Sequence, residues 1–356
     1  MKRFLICLIS LLLITTAALA DTTVTISFTG DVTLGCEERF RSDPATICGY
    51  VEKNGYDWCM KYVKDIFEQD DLTVVNFEGV LADTKNGENT KKAYRFRGTP
   101  DMAKVLTCSG IELCSLANNH TGDYGNGGLK STKAALEAEG LYYFGDDEVY
   151  ITEVKGIRIG FVSATSATVF RKNNAILDSI IRLKEDENCQ LVVFCYHGGT
   201  EYGNYHDNSE TDIATRAIRR GADVVVMHHP HVPFGLDVIG NRTVCYSLGN
   251  FCFGGNKEIR NQRALYSAIA QFDFTFNDDG EYTGQTMRLI PCYTSSIYPD
   301  NNYQPYPVKG DDAAEVLRVI MKDTEYYPLG EFDEEKGYYP GEYLPSEAET
   351  TASKAD

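Results

Sequence analysis

Short β-branched segments alternate with amphipathic segments along most of this chain, and that alternation restricts the fold more than any other feature. Strands are predicted at residues 24–28, 72–75 and 111–116, and helices at residues 128–138 and 175–185. Alternating strands and helices bury their apolar faces well when helices cover the outer faces of β-sheets. The sequence therefore predicts an α/β protein with layered β-sheets flanked by helices.

The same patterns extend the prediction over the rest of the chain. Residues 149–154 and 157–162 flank Lys155-Gly156 and predict a β-hairpin, and Pro100 is suited to the first turn of a helix. The remaining predicted elements are helices at residues 56–68, 211–220 and 313–322, and strands at residues 191–195, 224–227, 236–239, 244–246, 268–274 and 285–289.

The composition is that of an acidic globular protein. The chain has 34 basic and 52 acidic side chains, a net charge of −18 and 43% hydrophobic residues. A surface this acidic argues against nucleic acid or an anionic membrane surface as the main partner. The hydrophobic fraction excludes wholesale disorder, and the 356 residues are enough to bury a sizeable core.

Residues 1–20 have the three parts of a secretory signal peptide. A basic start precedes an apolar stretch at residues 4–13, and the Ala-Leu-Ala of residues 18–20 is a small-x-small cleavage site. The apolar stretch is short for a membrane span, and an uncleaved anchor is the alternative interpretation. We expect a mature protein that begins at Asp21 and is secreted or associated with the cell surface.

One domain is expected at residues 21–338, followed at residues 339–356 by an acidic, solvated or disordered tail rich in Glu, Pro, Ser and Thr. Ten of the eleven cysteines lie after residue 20. Export would make disulfides chemically possible, and the absence of a Cys-x-x-Cys pair gives no support to a zinc ribbon or redox motif. We expect some disulfide bridges and some buried thiols, with a connectivity that the sequence does not determine.

Polar clusters follow five of the predicted strands. They are Gly30-Asp31, Asn76-Phe77-Glu78, Asn118-Asn119-His120 with Asp123, His197 to Glu201, and His228-His229-Pro230-His231. Because α/β sheets usually place their sites at the carboxyl ends of strands, we expect these side chains to converge. Any single cluster would also fit a simpler role, since Asp and Asn residues are common in turns and helix caps.

Carboxylates, imidazoles and an amide oxygen together make a mixed nitrogen and oxygen ligand set. Mn²⁺, Zn²⁺ and Fe suit such a set, and the lack of cysteine in it argues against a structural zinc site. Two ions roughly 3.5–4 Å apart, bridged by one carboxylate, would activate water and neutralise a phosphoryl or carbonyl oxygen. The sequence therefore predicts a site for one or two divalent metal ions.

Seven short motifs carry a family resemblance. They are Gly30-Asp31-Val32-Thr33-Leu34, Asn76-Phe77-Glu78, Phe96-Arg97-Gly98-Thr99-Pro100, residues 115–125 around Asn118-Asn119-His120, His197-Gly198-Gly199-Thr200-Glu201-Tyr202, residues 221–231 ending in His228-His229-Pro230-His231, and Tyr246-Ser247-Leu248-Gly249-Asn250-Phe251. In this order the chain resembles the CapA family of poly-γ-glutamate capsule biosynthesis proteins, over residues 24–256. The resemblance implies a fold similar to calcineurin-like metallophosphoesterases and a role in the metabolism of poly-γ-glutamate or another cell-envelope polymer.

The resemblance also implies roles for individual residues. His120 would donate a proton to a leaving oxygen, and Asp123 would orient His120 and raise its pKa. Arg97 would hold an anionic group of the substrate. The other implied residues are Asp31, Glu78 and His231 at a first metal, Asn119, His197 and His229 at a second metal, and Asn118, Glu201 and His228 on the substrate side.

Two positions depart from the wider pattern. Thr33 stands where metallophosphoesterases usually carry a histidine, and Met227 stands where the family commonly has glycine. The missing imidazole would weaken the first metal site.

Two functional interpretations remain open for the chain. One is an exported metal-dependent hydrolase of an envelope polymer. The other is a catalytically degenerate accessory protein that holds metal or a polyanion in a polymer synthesis or export complex. In both interpretations the polymer is an expected partner. The accessory protein would also contact membrane proteins of capsule synthesis. A third possibility, a purely structural role, leaves the converging histidines unexplained.

Overall fold

Two β-sheets share one hydrophobic core in the computed structural model, which describes residues 21–172 and 175–346. The strands are β1 Thr22–Thr33, β2 Leu72–Phe77, β3 Val80–Leu81, β4 Arg97–Gly98, β5 Leu113–Ser115, β6 Tyr142–Phe144, β7 Tyr150–Val154, β8 Ile157–Thr165, β9 Leu191–His197, β10 Val224–His228, β11 Leu236–Ile239, β12 Arg242–Cys245, β13 Asn250–Phe253, β14 Tyr266–Phe276, β15 Tyr282–Tyr293, β16 Tyr306–Pro307, β17 Tyr339–Pro340 and β18 Leu344–Pro345. The helices are α1 Ile47–Asn54, α2 Lys64–Phe67, α3 Lys104–Cys108, α4 Gly125–Ala138, α5 Ser166–Arg171, α6 Ala175–Glu185, α7 Asn208–Ile218 and α8 Gly310–Met321. Short 3₁₀ turns lie at Glu38–Phe40, Pro100–Ala103 and Gln262–Leu265.

The first sheet has the order β16-β15-β14-β1-β2-β5-β6, with β13 paired to β1 and with β17 and β18 paired to β15. The second sheet has the order β11-β12-β10-β9-β8-β7, and β3 and β4 form a separate pair. Strands β1, β2, β5 and β6 are parallel neighbours, as are β8, β9, β10 and β12. Parallel neighbours end at the same edge, so the loops after β1, β2 and β5 meet, and the loops after β9 and β10 meet. The predicted layered α/β fold is confirmed.

The core joins the two sheets through large apolar side chains. Within the first sheet, Phe28 of β1 packs edge-on against Phe272 of β14, with ring centroids 5.8 Å apart. Phe144 of the first sheet contacts Phe161 of the second at 5.5 Å. Because these side chains are almost fully buried, the hydrophobic effect fixes the two sheets against each other and gives the loops at their edges a rigid base.

The helix predicted at residues 56–68 is wrong for most of its length. Only Lys64–Phe67 is helical, and the preceding residues form turns. Trp58 explains the difference, because its side-chain Nε1 donates to the Asn302 carbonyl at 3.1 Å and its own carbonyl accepts from Gln304 Nε2 at 2.8 Å. These tertiary hydrogen bonds use a backbone group that a continuous helix would need.

The boundary predicted for the acidic tail is also wrong. Residues 339–346 are ordered against the first sheet, because β17 and β18 both form antiparallel pairs with β15. The Leu344 carbonyl lies close to Gly284, where a side chain would clash. The predicted signal peptide at residues 1–20 and the end of the predicted tail at residues 347–356 lie outside the described residues.

The ten cysteines among the described residues are all free thiols, which differs from the expected mixture of bridges and thiols. Cys114 of β5 and Cys195 of β9 are fully buried inside strands, where each behaves as a small apolar side chain. Among residues 21–172 and 175–346, no helix has the length and hydrophobicity required to cross a membrane.

Candidate metal centre

Asp31 is fixed at the end of β1 by a close approach of two backbones. A Cβ atom on Gly30 would lie 2.1 Å from the Gly249 carbonyl oxygen, so only glycine fits there. The Asp31 amide donates to that same oxygen at 2.9 Å. The contact ties β1 to the start of β13 and aims the Asp31 carboxylate into the space between the two sheets.

The Asp31 carboxylate is fully buried and only half satisfied. Its Oδ1 accepts from Asn76 Nδ2 at 2.8 Å, while Oδ2 has no hydrogen-bond partner and lies 3.3 Å from His231 Nδ1. Burial alone would raise the pKa of Asp31, but the contact with His231 and the charges of nearby histidines outweigh it and lower the pKa. The carboxylate is therefore ionised and has an oxygen available for a cation.

Of the polar side chains where the loops after β1, β2 and β5 meet, Glu78 has the fewest hydrogen bonds. It is fully buried, and neither carboxylate oxygen has a hydrogen-bond partner. Its Oε1 lies 3.6 Å from His120 Nε2 and 4.0 Å from His197 Nε2. Burial, and then the charge of Asp31, raise the pKa of Glu78 well above its ordinary value.

These two carboxylates fit a divalent cation. Ligand atoms of Asp31, Glu78 and His231 all lie within 4.8 Å of one another. An unpaired carboxylate in a protein interior is costly, and coordination to a metal ion is one of the few ways to compensate it. Oxygen donors with one imidazole also match the preferences of Mn²⁺, Zn²⁺ and Fe. The residues present are therefore suited to the metal that the sequence predicts.

His197, at the end of β9, lies on the other side of Asn76. Its Nδ1 is 3.4 Å from Asn76 Nδ2, and its Nε2 is 3.0 Å from Asn119 Oδ1. Burial, and then the neighbouring His229, lower the pKa of His197 well below its ordinary value. A neutral imidazole has a lone pair for a metal, so His197 and Asn119 together offer a nitrogen and an oxygen donor.

His229 and His231 have unusual backbone conformations. Their φ angles are +106° and +58°, in a region that residues other than glycine rarely occupy. The ring of His229 lies 4.7 Å from that of His197, and Glu201 Oε1 lies 3.9 Å from His229 Nε2. Glu201, His229 and His231 form a second group whose ligand atoms lie within 4.8 Å of one another.

His231 differs from the other histidines in its charge. Burial works to lower its pKa, but the Asp31 carboxylate, 3.3 Å away, and the charge of Glu78 outweigh burial and raise the pKa to about 9. His231 Nδ1 also lies 2.9 Å from Asn250 Oδ1. A protonated His231 compensates part of the carboxylate charge in the absence of a metal ion, and a cation bound there would displace that proton.

His120 follows β5 and lies in a hydrogen-bonded chain. Its Nδ1 is 2.7 Å from Asp123 Oδ2, and Lys92 Nζ pairs with Asp123 Oδ1 and donates to the Asn119 carbonyl at 2.6 Å. We expected Asp123 to raise the pKa of His120, but burial lowers that pKa by more than Asp123 raises it. His120 Nε2 points towards Glu78, so its second nitrogen faces the candidate metal ligands.

Arg97 does not reach the site, contrary to its predicted role in holding an anionic substrate group. It is buried, its Nε donates to Glu38 Oε1 at 2.5 Å, and its Nη1 donates to the Ala82 carbonyl at 2.5 Å. Its guanidinium also lies over the ring of Tyr124. Arg97 therefore ties β4 to neighbouring segments through its Nε and Nη1 atoms and is buried there.

Two other substrate-side candidates have supporting roles instead. Asn118 Nδ2 donates to the Phe77 carbonyl at 2.7 Å, and its Oδ1 accepts from the His120 amide at 3.1 Å. His228 is buried, with Nε2 3.0 Å from the Thr29 carbonyl. Each holds a loop that bears a candidate ligand, and neither needs a substrate to satisfy its polar atoms.

Three residues of this edge have no role in the sequence-based prediction. Asn76 lies between Asp31 and His197, Asn250 contacts His231, and both asparagines belong to motifs that the sequence singles out. Lys92 belongs to none of them, and its contact with Asp123 spans 31 positions of the chain. Only the tertiary fold brings Lys92 to the site.

Comparison with known proteins assigns the chain to a family. The family described as "Bacterial capsule synthesis protein PGA_cap" matches residues 25–255. The chain belongs to this family. The resemblance to CapA proteins is thereby confirmed, and the layered α/β fold agrees with the metallophosphoesterase-like fold of that group.

Individual relatives cover most of the chain. It is 27% identical to the "PGA biosynthesis protein CapA" of Bacillus subtilis (strain 168), over 86% of this chain and 80% of that protein. It is 28% identical to the "Capsule biosynthesis protein CapA" of Bacillus anthracis, over 85% of this chain and 74% of that protein. A crystal structure of a hypothetical protein from Thermus thermophilus aligns with a TM-score of 0.44 and 16% identity, over 75% of this chain and 99% of that chain.

Proposed function

We propose that this protein is an exported metal-dependent hydrolase that acts on poly-γ-glutamate or another cell-envelope polymer. The observation that carries the proposal is the pair of buried carboxylates, Asp31 and Glu78, with three oxygens that lack a hydrogen-bond partner. A site built only for stability would compensate those charges with protein donors. A cation site beside a buried histidine is the arrangement that hydrolases use.

The candidate ligands form two sets, one for each metal ion. Asp31, Glu78 and His231 would hold one ion, and Asn119, His197 and His229 would hold another. When bound there, a divalent ion such as Mn²⁺, Zn²⁺ or Fe²⁺ supplies Lewis-acid chemistry, which polarises a phosphoryl or carbonyl oxygen and lowers the pKa of water.

His120 supplies the proton. Its Nδ1 donates to Asp123 at 2.7 Å, so Nε2 carries a proton only when the ring is the charged imidazolium. In that form Nε2 would donate its proton to the leaving oxygen or nitrogen of the substrate, and His120 would become neutral. Lys92 holds Asp123 from the other side, so the imidazole keeps one orientation.

The polymer as substrate is supported by the relatives. The names of these relatives refer to PGA biosynthesis and to capsule biosynthesis. We infer that the scissile bond is a γ-glutamyl amide or a phosphoester attached to an envelope polymer.

Export is part of the proposal, since residues 1–20 have the pattern of a signal peptide and an envelope polymer lies outside the membrane. Mass spectrometry of the extracellular protein should find Asp21 at its N-terminus, and a retained apolar segment would contradict export by cleavage.

One observation favours the degenerate accessory protein instead. Thr33 occupies the position where metallophosphoesterases usually carry a histidine ligand, and its buried Oγ1 has no hydrogen-bond partner. A weakened metal site would bind the polymer, in a complex with membrane proteins of capsule synthesis, without turning it over.

Metal analysis followed by activity measurements separates the two functions. The purified protein should contain Mn, Zn or Fe, and with Mn²⁺ added it should cleave a phosphomonoester, a phosphodiester or a γ-glutamyl peptide. His120→Ala should retain its metal and lose turnover. Bound metal with no turnover of any of the three substrate classes would refute the hydrolase and support the accessory protein.

A further inference from the structure

A cavity of about 700 Å³ lies beside the candidate metal centre. Its wall comes mainly from two segments, the loop at residues 36–46 after β1 and the loop at residues 254–264 after β13. The volume lies within the range of about 300–1,000 Å³ that is typical of ligand pockets. Neither segment contributes a candidate metal ligand, so the cavity is separate from the ligands themselves.

The cavity and the metal centre share a wall. Tyr202 lines the cavity, and its ring centroid lies 5.7 Å from that of His231. The Tyr202 amide donates to the Pro230 carbonyl at 2.8 Å, which fixes it beside the histidine loop. Phe253, whose ring lies 4.8 Å from His231, leads directly into the glycines that line the cavity. A chain lying in the cavity would therefore pass next to the candidate ligands.

The charges that line the cavity differ from those of the protein as a whole. The lining contains three cations, Arg39, Lys257 and Arg260, and two carboxylates, Glu37 and Glu258. The whole chain has 34 basic and 52 acidic side chains. Lys257 also pairs with Asp43 of the loop at residues 36–46, so cations and carboxylates balance at this cavity. An anionic ligand is therefore repelled less at this balanced site than on the acidic remainder of the surface.

The two arginines keep hydrogen-bond donors for a ligand. Glu37 accepts from Arg39 Nη2 at 2.8 Å, and Glu258 accepts from Arg260 Nε at 3.3 Å. A guanidinium has five N–H donors, so these contacts leave others for a carboxylate. The side chains of Arg39 and Arg260 are 64% and 86% exposed, and ion pairs this exposed exchange partners at little cost.

We propose that this cavity is a binding subsite for a polycarboxylate chain, which Arg39, Lys257 and Arg260 hold through its carboxylates while a neighbouring unit of the same chain reaches the metal centre. The proposal rests on the proposed function, because it takes the anionic polymer to be the ligand. Tyr94 and Tyr202 add apolar ring faces for the methylene groups between the carboxylates.

A binding measurement with two oligomers tests the subsite. A fluorescently labelled oligo-γ-glutamate is titrated with the full chain, and an oligo-γ-glutamine of the same length serves as the uncharged probe. The wild-type protein should bind the charged oligomer more tightly, and its affinity should fall as salt is added. The double variant Arg39→Glu/Arg260→Glu should bind the charged oligomer about tenfold more weakly, because two favourable contacts become repulsive.

Lys336→Glu is the matched control. Lys336 is also exposed and also lies 3.3 Å from a nearby carboxylate, that of Asp333, but it does not line the cavity. This variant should bind like the wild type. Lys257→Gln provides a milder change within the subsite and should weaken binding by a smaller factor.

The outcomes separate the subsite from the hydrolase. Weaker oligomer binding in the double variant, with unchanged metal content and unchanged turnover of a small phosphoester, supports the subsite. Weaker binding in a protein that turns over no substrate also supports the subsite and refutes only the hydrolase. Equal loss in Lys336→Glu, equal affinity for both oligomers, or no binding of the charged oligomer would refute the subsite and leave the hydrolase standing.

Discussion

Replacing Glu78 by glutamine should change the stability of the protein in opposite directions with and without metal. Both oxygens of Glu78 are buried without a hydrogen-bond partner, and Asp31 lies in the same cluster. Without a bound cation, folding at neutral pH must either bury the Glu78 charge beside Asp31 or add a proton to Glu78, because its pKa is raised by burial, and both cost stability. Glu78→Gln keeps the shape and removes the charge, so the metal-free variant should be more stable than the metal-free wild type.

The expected size follows from the burial of the group. Burying the charge of Glu78, or protonating it at neutral pH, costs several kcal/mol. The unpaired amide of glutamine costs part of that again, which leaves a gain of about 1–2 kcal/mol. For a domain of this size, that is an increase in Tm of about 2–5 °C. The wild type should in turn gain about 2.7 kcal/mol when the metal is present at a hundred times its Kd. Glu78→Gln should lose most of this gain, because the stabilisation by a ligand that binds only the folded state disappears once its Kd rises above the ligand concentration.

Thermal unfolding in a chelator and with added Mn²⁺ measures both effects. Glu112→Gln is the control, since Glu112 is a partly buried carboxylate that accepts from the Thr73 amide at 2.9 Å, away from the candidate ligands. The control should show the full metal-dependent shift. A Glu78→Gln protein that is less stable than the wild type in chelator, or that keeps the wild-type metal shift, would refute the assignment of Glu78 as a metal ligand.

Three further outcomes are expected. His120→Ala should keep its metal, measured by mass spectrometry, while turnover falls by about 10²–10⁴-fold, and unchanged turnover would remove His120 as the acid. Lys92→Gln should lower turnover about tenfold and Lys92→Arg should restore part of it, because a charged donor holds Asp123; equal rates in both variants would contradict this. Burial raises the pKa of Asp70 to about 7, above its unfolded value of about 3.9, so stability is lost as pH rises between those values. Asp70→Asn should remove that loss and be about 1–2 kcal/mol more stable than the wild type at pH 8 in denaturant titrations; a variant less stable at pH 8 would contradict it.

Local sequence pattern predicted the elements that the core requires. The hairpin of β7 and β8 and the buried strands β9 and β10 follow from β-branched runs with turns between them. Strand β13 has only four residues and pairs with β1 across more than two hundred positions of the chain. Such a strand exists because of its partner, and its own sequence carries little signal.

The candidate site likewise contains residues whose place the sequence predicted and one whose role it did not. Asp31, Glu78 and His231 converge because each lies at or just after the carboxyl end of a strand, and the pattern of strands is readable from the sequence. Arg97 was assigned to the substrate from its position in a motif, yet it is buried and its Nε and Nη1 atoms donate to Glu38 and Ala82. The partners of a long side chain depend on loops that only the fold brings together, so its role could not be predicted from spacing.

Several unfavourable features coincide at this one edge of the molecule. Glu78 is buried without a partner, and the backbones of His229 and His231 occupy the left-handed region, where a side chain costs about 1–3 kcal/mol. His197 is held neutral by burial, although it lies among carboxylates that would favour its charged form. A fold that needed this edge only for stability would gain by replacing these residues with apolar ones. The rigid core beneath the loops can bear the strain, and a bound cation would compensate the charges, so ligand binding accounts for all of these features together and a structural role accounts for none of them.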